Sequence, residues 1–267
     1  VRAIELPETA DWSICVRDAS DDRVLYAHHP ERLLRTASVG KVFLLAEVSA
    51  RLAAGELDPD EPLRWDDDEW VADSGLWYQL RSRSLPLADL CLLVGAVSDN
   101  LATNVLLRRV GIEPVRRMAR RLGCAESALL DRVREGRRPT DPPTLSVGRA
   151  DELSALLGRL HRGEVLGRET ADRVLGWLAT DTDLSMVAGV FGLDPLAHTE
   201  PDRGVRLVNK TGTIGTARID IGLVSAGGRT LAYAAAANWA DGRPEVRDRV
   251  LAAMREIGRA VADELAG

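Results

Sequence analysis

The sequence predicts an α/β sandwich: an antiparallel five-stranded sheet with terminal helices, plus an inserted all-α lobe. Three observations lead there. Strand-like segments lie at both ends of the chain, helical segments fill the middle, and Gly227-Gly228 joins the last two strands as a tight hairpin. Strands from opposite chain ends share one sheet when the helices between them form a lobe of their own. The expected organisation is therefore a single domain over residues 1–267, with 1–37 and 200–267 forming the α/β part and 38–199 the inserted helical lobe.

Taken in order, Trp12–Arg17 alternates as a strand, Asp18–Asp22 is a turn of small and acidic residues, and Arg23–Ala27 returns. A helix starts at Thr36-Ala37-Ser38, carries Val42, Leu44, Leu45, Val48 and Leu52 on its apolar face, and ends at Gly55. Residues 55–86 read as loop, punctuated by Pro59 and Pro62 and holding the aromatic group Trp65, Trp70, Trp77 and Tyr78. Helices follow over Leu87–Val97, Leu101–Val110 and Pro114–Leu122. Gly136, Pro139, Pro142 and Pro143 break the pattern between Asp131 and Ser146, a loop long enough to suggest a functional role. Helices at Arg149–Leu160 and Arg168–Leu178 precede a loop over Asp194–Gly204. Strands Val205–Thr211, Arg218–Ser225 and Thr230–Asn238 close the sheet, and a helix from Pro244 to Leu265 ends the chain.

Composition narrows the function. Apolar residues make up 45% and charged residues 28% of the 267, the balance of a globular chain with a sizeable core. The net charge of −6, with both signs interspersed and no long basic tract, argues against a nucleic-acid partner. No apolar run approaches the ~18 residues of a membrane span. Residues Val1–Asp11 show no charged segment followed by an apolar core, so no signal peptide is expected there, and the initial Val is consistent with a trimmed or mature form. Cys15, Cys91 and Cys124 have no metal-ligand spacing and the four histidines read as solvated or core residues; no metal or organic cofactor is implied. The acidic run Asp66–Glu69 reads as a solvated turn or a helix start, not a metal site.

Of 35 Lys and Arg residues, two are lysines, and both sit in short polar motifs: Ser38-Val39-Gly40-Lys41 and Lys210-Thr211-Gly212. Arginine is never deprotonated in a protein, whereas a desolvated lysine can become a neutral amine and accept a proton. One helical turn separates Ser38 from Lys41, which puts hydroxyl and amine on one face. Ser38 at a helix start also gains from the partial positive charge there as an alkoxide forms. The chemistry this pattern suggests is a serine nucleophile activated by Lys41.

With Ser98-Asp99-Asn100 between them, the motifs run in the order S-x-x-K, S-D-N, K-T-G, with first residues at 38, 98 and 210. Each is weak alone; together and in order they are specific. The chain resembles the class A β-lactamases and the wider penicillin-recognising serine hydrolases over nearly its whole length. The resemblance implies a β-lactamase/transpeptidase-type fold and a Ser38 acyl-enzyme. It implies Ser98 as the proton shuttle to the leaving nitrogen, and Asn100 as the group ordering the substrate amide and Lys41. Lys210 and Thr211 would hold a substrate carboxylate, and Gly212 would let a ligand approach the backbone. Backbone N–H groups of Ser38 and Thr213 would form the oxyanion hole. Arg218 is either a second carboxylate anchor or a solvated arginine, and Trp77 either walls the cleft or packs in the core. A small substrate with a carboxylate and an amide or ester, a monomer, and a secreted or periplasmic location are implied as well, with a cytoplasmic one still open.

The family's deacylating glutamate has no counterpart. Its position falls near Val133 or Arg134, neither of which is a base. The nearby acids are Asp131 and Glu135, and Asp131 is equally placed to pair with Arg134. The disulfide some relatives make to the helix of Cys91 is also excluded, because Leu45 stands at the matching position. Three activities remain open: a β-lactamase with an unusual deacylating base, a related serine esterase, peptidase or acyltransferase with weak β-lactam turnover, and a β-lactam sensor or sink that acylates without deacylating.

Overall fold

Trp12, Ile14 and Val16 alternate with Ser13, Cys15 and Arg17 along the first strand, and the first set packs against a different helix layer from Cys15. This period-two sorting organises the molecule. A computed structural model describes residues 4–241 and 243–267; residues 1–3, where the stretch expected to hold no leader begins, lie outside the described residues.

The chain enters through β1 (Ala10–Asp18) and β2 (Val24–His28), then β3 (Leu34–Arg35), a 3-10 turn over Ala37–Gly40, and α1 (Lys41–Ala53). Next come β4 (Pro62–Arg64) and β5 (Ser84–Pro86), followed by α2 (Leu87–Val97), α3 (Asn100–Val110) and α4 (Ile112–Arg121). β6 (Ala128–Leu129) and β7 (Ser146–Gly148) bracket the long loop, and α5 (Ala150–Arg162) and α6 (Arg168–Leu178) follow. The chain closes with β8 (Arg206–Ile214), β9 (Ala217–Ala226), β10 (Arg229–Trp239) and α7 (Pro244–Ala266).

The main sheet has the order β2-β1-β10-β9-β8, antiparallel throughout. One face, carrying Trp12, Leu207, Val224 and Tyr233, packs on Val246, Val250, Met254, Ile257 and Val261 of α7. The other face, carrying Ile219, Ile221, Leu223 and Ala234, packs on the helical side of the molecule. Each large apolar side chain so buried contributes about 1.5–3 kcal/mol as an upper figure. Ala234 to Ala237 in β10 keep both faces shallow, so α5 and α7 approach the sheet from opposite sides.

Several expectations change. The inserted segment is not all helical: β4 pairs with β5, and β3, β7 and β6 form a second small sheet. Strands of two or three residues are too short to show a period in sequence. α5, placed in the inserted lobe, packs on β1 and β10 as well as on α6. The helix expected from Thr36 begins at Lys41, because the residues before it form the 3-10 turn. β8 runs on through Gly212, Thr213 and Ile214, paired with Ile219, Arg218 and Ala217.

Candidate active site

Ser38 stands on a turn held from two sides. From β7, the Ser146 hydroxyl donates to Ala37 O (2.6 Å) and lies 2.8 Å from Thr36 Oγ1, while Ser146 O accepts the Thr36 N–H (3.1 Å). Gly40 permits this contact, since a Cβ there would lie 2.4 Å from the Ser146 Cβ. On the other side β8 passes so closely that a Cβ on Gly212 would lie 2.3 Å from Thr36 O. Gly212 therefore admits the Ser38 turn against the strand, a close approach that its expected role beside a ligand did not include. Ala37 adopts a left-handed φ of +47°, a cost of about 1–2 kcal/mol that this packing sustains.

Lys41 opens α1 with its side chain fully buried. Its Nζ donates to Ser98 O (2.6 Å) and Asn100 Oδ1 (2.8 Å) and lies 3.2 Å from Ser98 Oγ. These are neutral oxygens, and among the described residues no carboxylate pairs with this amine. Burial, then the nearby charge of Lys210, pushes its pKa well below the ordinary lysine range, against the opposing pull of Asp99, Asp181 and Asp73.

Ser98 reaches Lys41 because α2 stops there in a left-handed turn (φ 54°, ψ 37°). Asp99 then fixes the corner: Oδ1 caps α3 through the Ala102 N–H (2.8 Å), and Oδ2 accepts from Leu76 N (2.7 Å) and Trp77 N (2.8 Å). Asn100 also donates to Ala72 O (3.3 Å), which ties the motif to the opposite wall. Lys210 is buried at the middle of β8 and donates to Thr211 O (3.2 Å). Its ion-pair partner is Asp181 at 3.6 Å, whose carboxylate also accepts the Thr211 N–H (3.1 Å).

These elements enclose a cleft of about 780 Å³. Ser38, Ser98, Asn100, Thr211, Thr213 and Glu135 line it, with Lys41 and Lys210 buried behind the wall. Three other expected residues do not reach it. Trp77 is a core residue: Asp99 fixes its turn, and the indole is buried with Nε1 donating to Ser82 O (2.9 Å). Arg218 folds back over the short β8–β9 turn, donating to Ile214 O (2.7 Å) and Ala217 O (2.8 Å). Asp131 faces a separate cavity behind the loop, where it receives Arg134, Arg137 and the Arg132 N–H. Burial raises its pKa, but those hydrogen bonds outweigh burial and hold the carboxyl below its ordinary range.

Val133 lines the cleft on a backbone clamped by Asn104, which accepts the Val133 N–H (2.8 Å) and donates to Val133 O (3.0 Å). Glu135 is exposed at the rim, its carboxylate 3.5 Å from Ala72 N. Sequence reasoning missed Asp181, Asp73 and Arg35, all in the cleft wall; the acidic pair Asp181 and Asp183 was a faint signal without a motif. The three cysteines are free and buried. Among the described residues no three His, Cys, Asp or Glu side chains are grouped to hold a metal ion, and no helix is long and apolar enough to cross a membrane.

Comparison with known proteins agrees with this architecture. The family model described as the Beta-lactamase enzyme family matches residues 1–265. A β-lactamase from Sphaerobacter thermophilus is similar at 22% identity and a TM-score of 0.82, over 96% of this chain and 92% of that one. An ancestral class A β-lactamase is similar at 23% identity and 0.78, over 96% and 95%. A variant of PBP-A, solved as an acyl-enzyme complex with penicillin G, is similar at 17% identity and 0.79, over 96% and 92%.

Proposed function

The chain belongs to the β-lactamase enzyme family and is a serine β-lactamase-like hydrolase; on that premise we propose that it opens β-lactams through an acyl-enzyme on Ser38, as class A enzymes do. The observation that carries this reading is Lys41: a buried amine with neutral partners, its pKa depressed, within 3.2 Å of the Ser98 hydroxyl and directly after the turn that carries Ser38. In this reading neutral Lys41 takes the Ser38 proton as Oγ attacks the β-lactam carbonyl. The N–H groups of Ser38 and Thr213 stabilise the oxyanion. The C–N bond then breaks, Ser98 protonates the leaving nitrogen, and Lys41 returns its proton to Ser98. Lys210 and Thr211 hold the substrate carboxylate from the same side.

Deacylation is the weaker half. Val133 stands in the region where the family carries its glutamate, and Asp131 is occupied by arginines. Glu135 is the remaining loop carboxylate on the cleft. These observations favour a second reading within the same chemistry: a slow hydrolase that holds its acyl group, near the behaviour of a sink.

Labelling with a fluorescent penicillin tests the proposal. One label per chain, mapped to the Ser38 peptide and absent from a folded Ser38→Ala variant, is the expected result. Undiminished labelling of the Ala variant, mapped to another residue, would refute it.

A further inference from the structure

Three arginines line the cleft, and they differ in what holds them. Arg134 and Arg137 share Asp131, and Arg134 also lies 3.6 Å from Asp141, so their charge is offset within the loop. Arg35 has no carboxylate at ion-pair distance among the described residues. Its Nε donates to Asn238 Oδ1 (3.2 Å), and Asn238 is locked in turn, accepting the Arg35 N–H and donating to Arg35 O, both at 3.0 Å. One nitrogen of the guanidinium is thereby fixed by a buried amide. The other two keep four N–H donors beside the cleft.

Register places this group. Asn238 pairs with Ala217, and Ala217 with Ile214, so Arg35 stands at the Ile214 end of β8. Lys210 is four residues away along the strand, about 14 Å at ~3.4 Å per residue. Two of the four acids lining the cleft lie on the Lys210 side: Asp181 contacts Lys210, and Asp73 and Asp181 both act on Lys41. Given the proposed acylation, on which this inference rests, Ser98 and Lys210 serve the leaving-group side. The Arg35 end therefore faces the acyl portion.

We propose that Arg35 is a specificity-determining, anion-binding residue that selects acyl donors carrying a carboxylate on the acyl side of the scissile bond. Such a substrate has an anion at each end, one met by Lys210 and Thr211, the other by the guanidinium that Asn238 orients. A planar guanidinium suits this task because it takes a carboxylate through two parallel N–H bonds.

The test compares two penicillins that differ in one group: a phenylacetyl side chain, and the same side chain with an α-carboxylate. Acylation kinetics are measured for the unaltered protein, Arg35→Gln and Arg218→Gln. The unaltered protein is expected to favour the carboxylated compound by about tenfold, through half-saturation concentration and not maximal rate. Arg35→Gln abolishes that preference while still reacting with the neutral compound, Arg218→Gln keeps it, and added salt weakens it. A preference that is absent in the unaltered protein, or survives in Arg35→Gln, overturns the proposal. Should Arg35→Gln lose the neutral reaction as well, Arg35→Lys decides, since retained preference supports the charge and lost preference with normal neutral acylation refutes it. Equal acylation of Ser38 by both compounds sinks this inference alone, whereas no acylation by either sinks the acyl-enzyme reading with it.

Discussion

Ser38 stands on a turn fixed by Ser146 on one side and Gly212 on the other, beside an amine whose hydrogen-bond partners are all neutral oxygens. Across the cleft, the loop after Leu130 spends most of its charges away from the cleft, Glu135 apart. Asp131 is held by Arg134 and Arg137, Asp141 by Arg138, and the cleft position clamped by Asn104 is the apolar Val133. Both regions are well ordered by hydrogen bonds, yet one is organised around a group able to change its protonation and the other around carboxylates already committed. The contrast supports the proposed chemistry: the groups it needs to form an acyl-enzyme lie together, whereas those it needs to resolve one are sparse.

The largest expected effect breaks the first region. Lys41→Arg should slow acylation by about 10³-fold or more, nearly as much as Lys41→Ala, because a guanidinium supplies charge but no neutral base at pH 7. Stopped-flow acylation measures it; an Arg variant within a few-fold of the unaltered protein would make Lys41 an electrostatic anchor. Repairing the second region is the converse experiment. Val133→Glu puts a carboxylate into the cleft and should speed deacylation by about 10²–10⁴-fold with acylation little changed, read as loss of label after a single turnover. If deacylation stays as slow, Val133 is not the missing position.

Acidity separates the steps further. Acylation needs neutral Lys41, so its rate should rise with pH through the depressed Lys41 pKa and fall about tenfold per pH unit below it. A limb at the ordinary lysine value would contradict the site's electrostatics. The smallest effects concern the two loop acids. Glu135→Gln should slow whatever deacylation exists without touching acylation. Asp131→Asn should instead lower the melting temperature by several degrees, since it leaves two arginines without a shared partner, at a cost of about 1–3 kcal/mol. Deacylation that is unchanged in both variants and in the double would leave Lys41 as the base for both steps.

Much of this was legible in the sequence because motif chemistry and strand periodicity are local. The three motifs, the Gly227-Gly228 hairpin and the helices α2 and α6 are read directly from residue order. What was not legible is where a side chain goes once a turn is made. Trp77 lies against the motif residue Asp99 and Arg218 pairs with Thr213, yet Asp99 turns one into the core and the β8–β9 turn folds the other back on itself. Asp181 and Arg35 matter through partners 29 and 203 positions away, Lys210 and Asn238, and no local spacing encodes such pairs. The same limit hid the fate of Asp131, whose competing roles differ only in which cavity it faces.

Intact-mass spectrometry of the unaltered protein after a brief pulse of penicillin tests the central contrast most directly. An adduct of one acyl group per chain, formed within the mixing time and still present after many minutes, is the predicted result. A protein that shows no adduct, or one that loses it as fast as it forms, would contradict the account: the first outcome removes the acylating site, and the second demands a deacylating base that the loop does not supply.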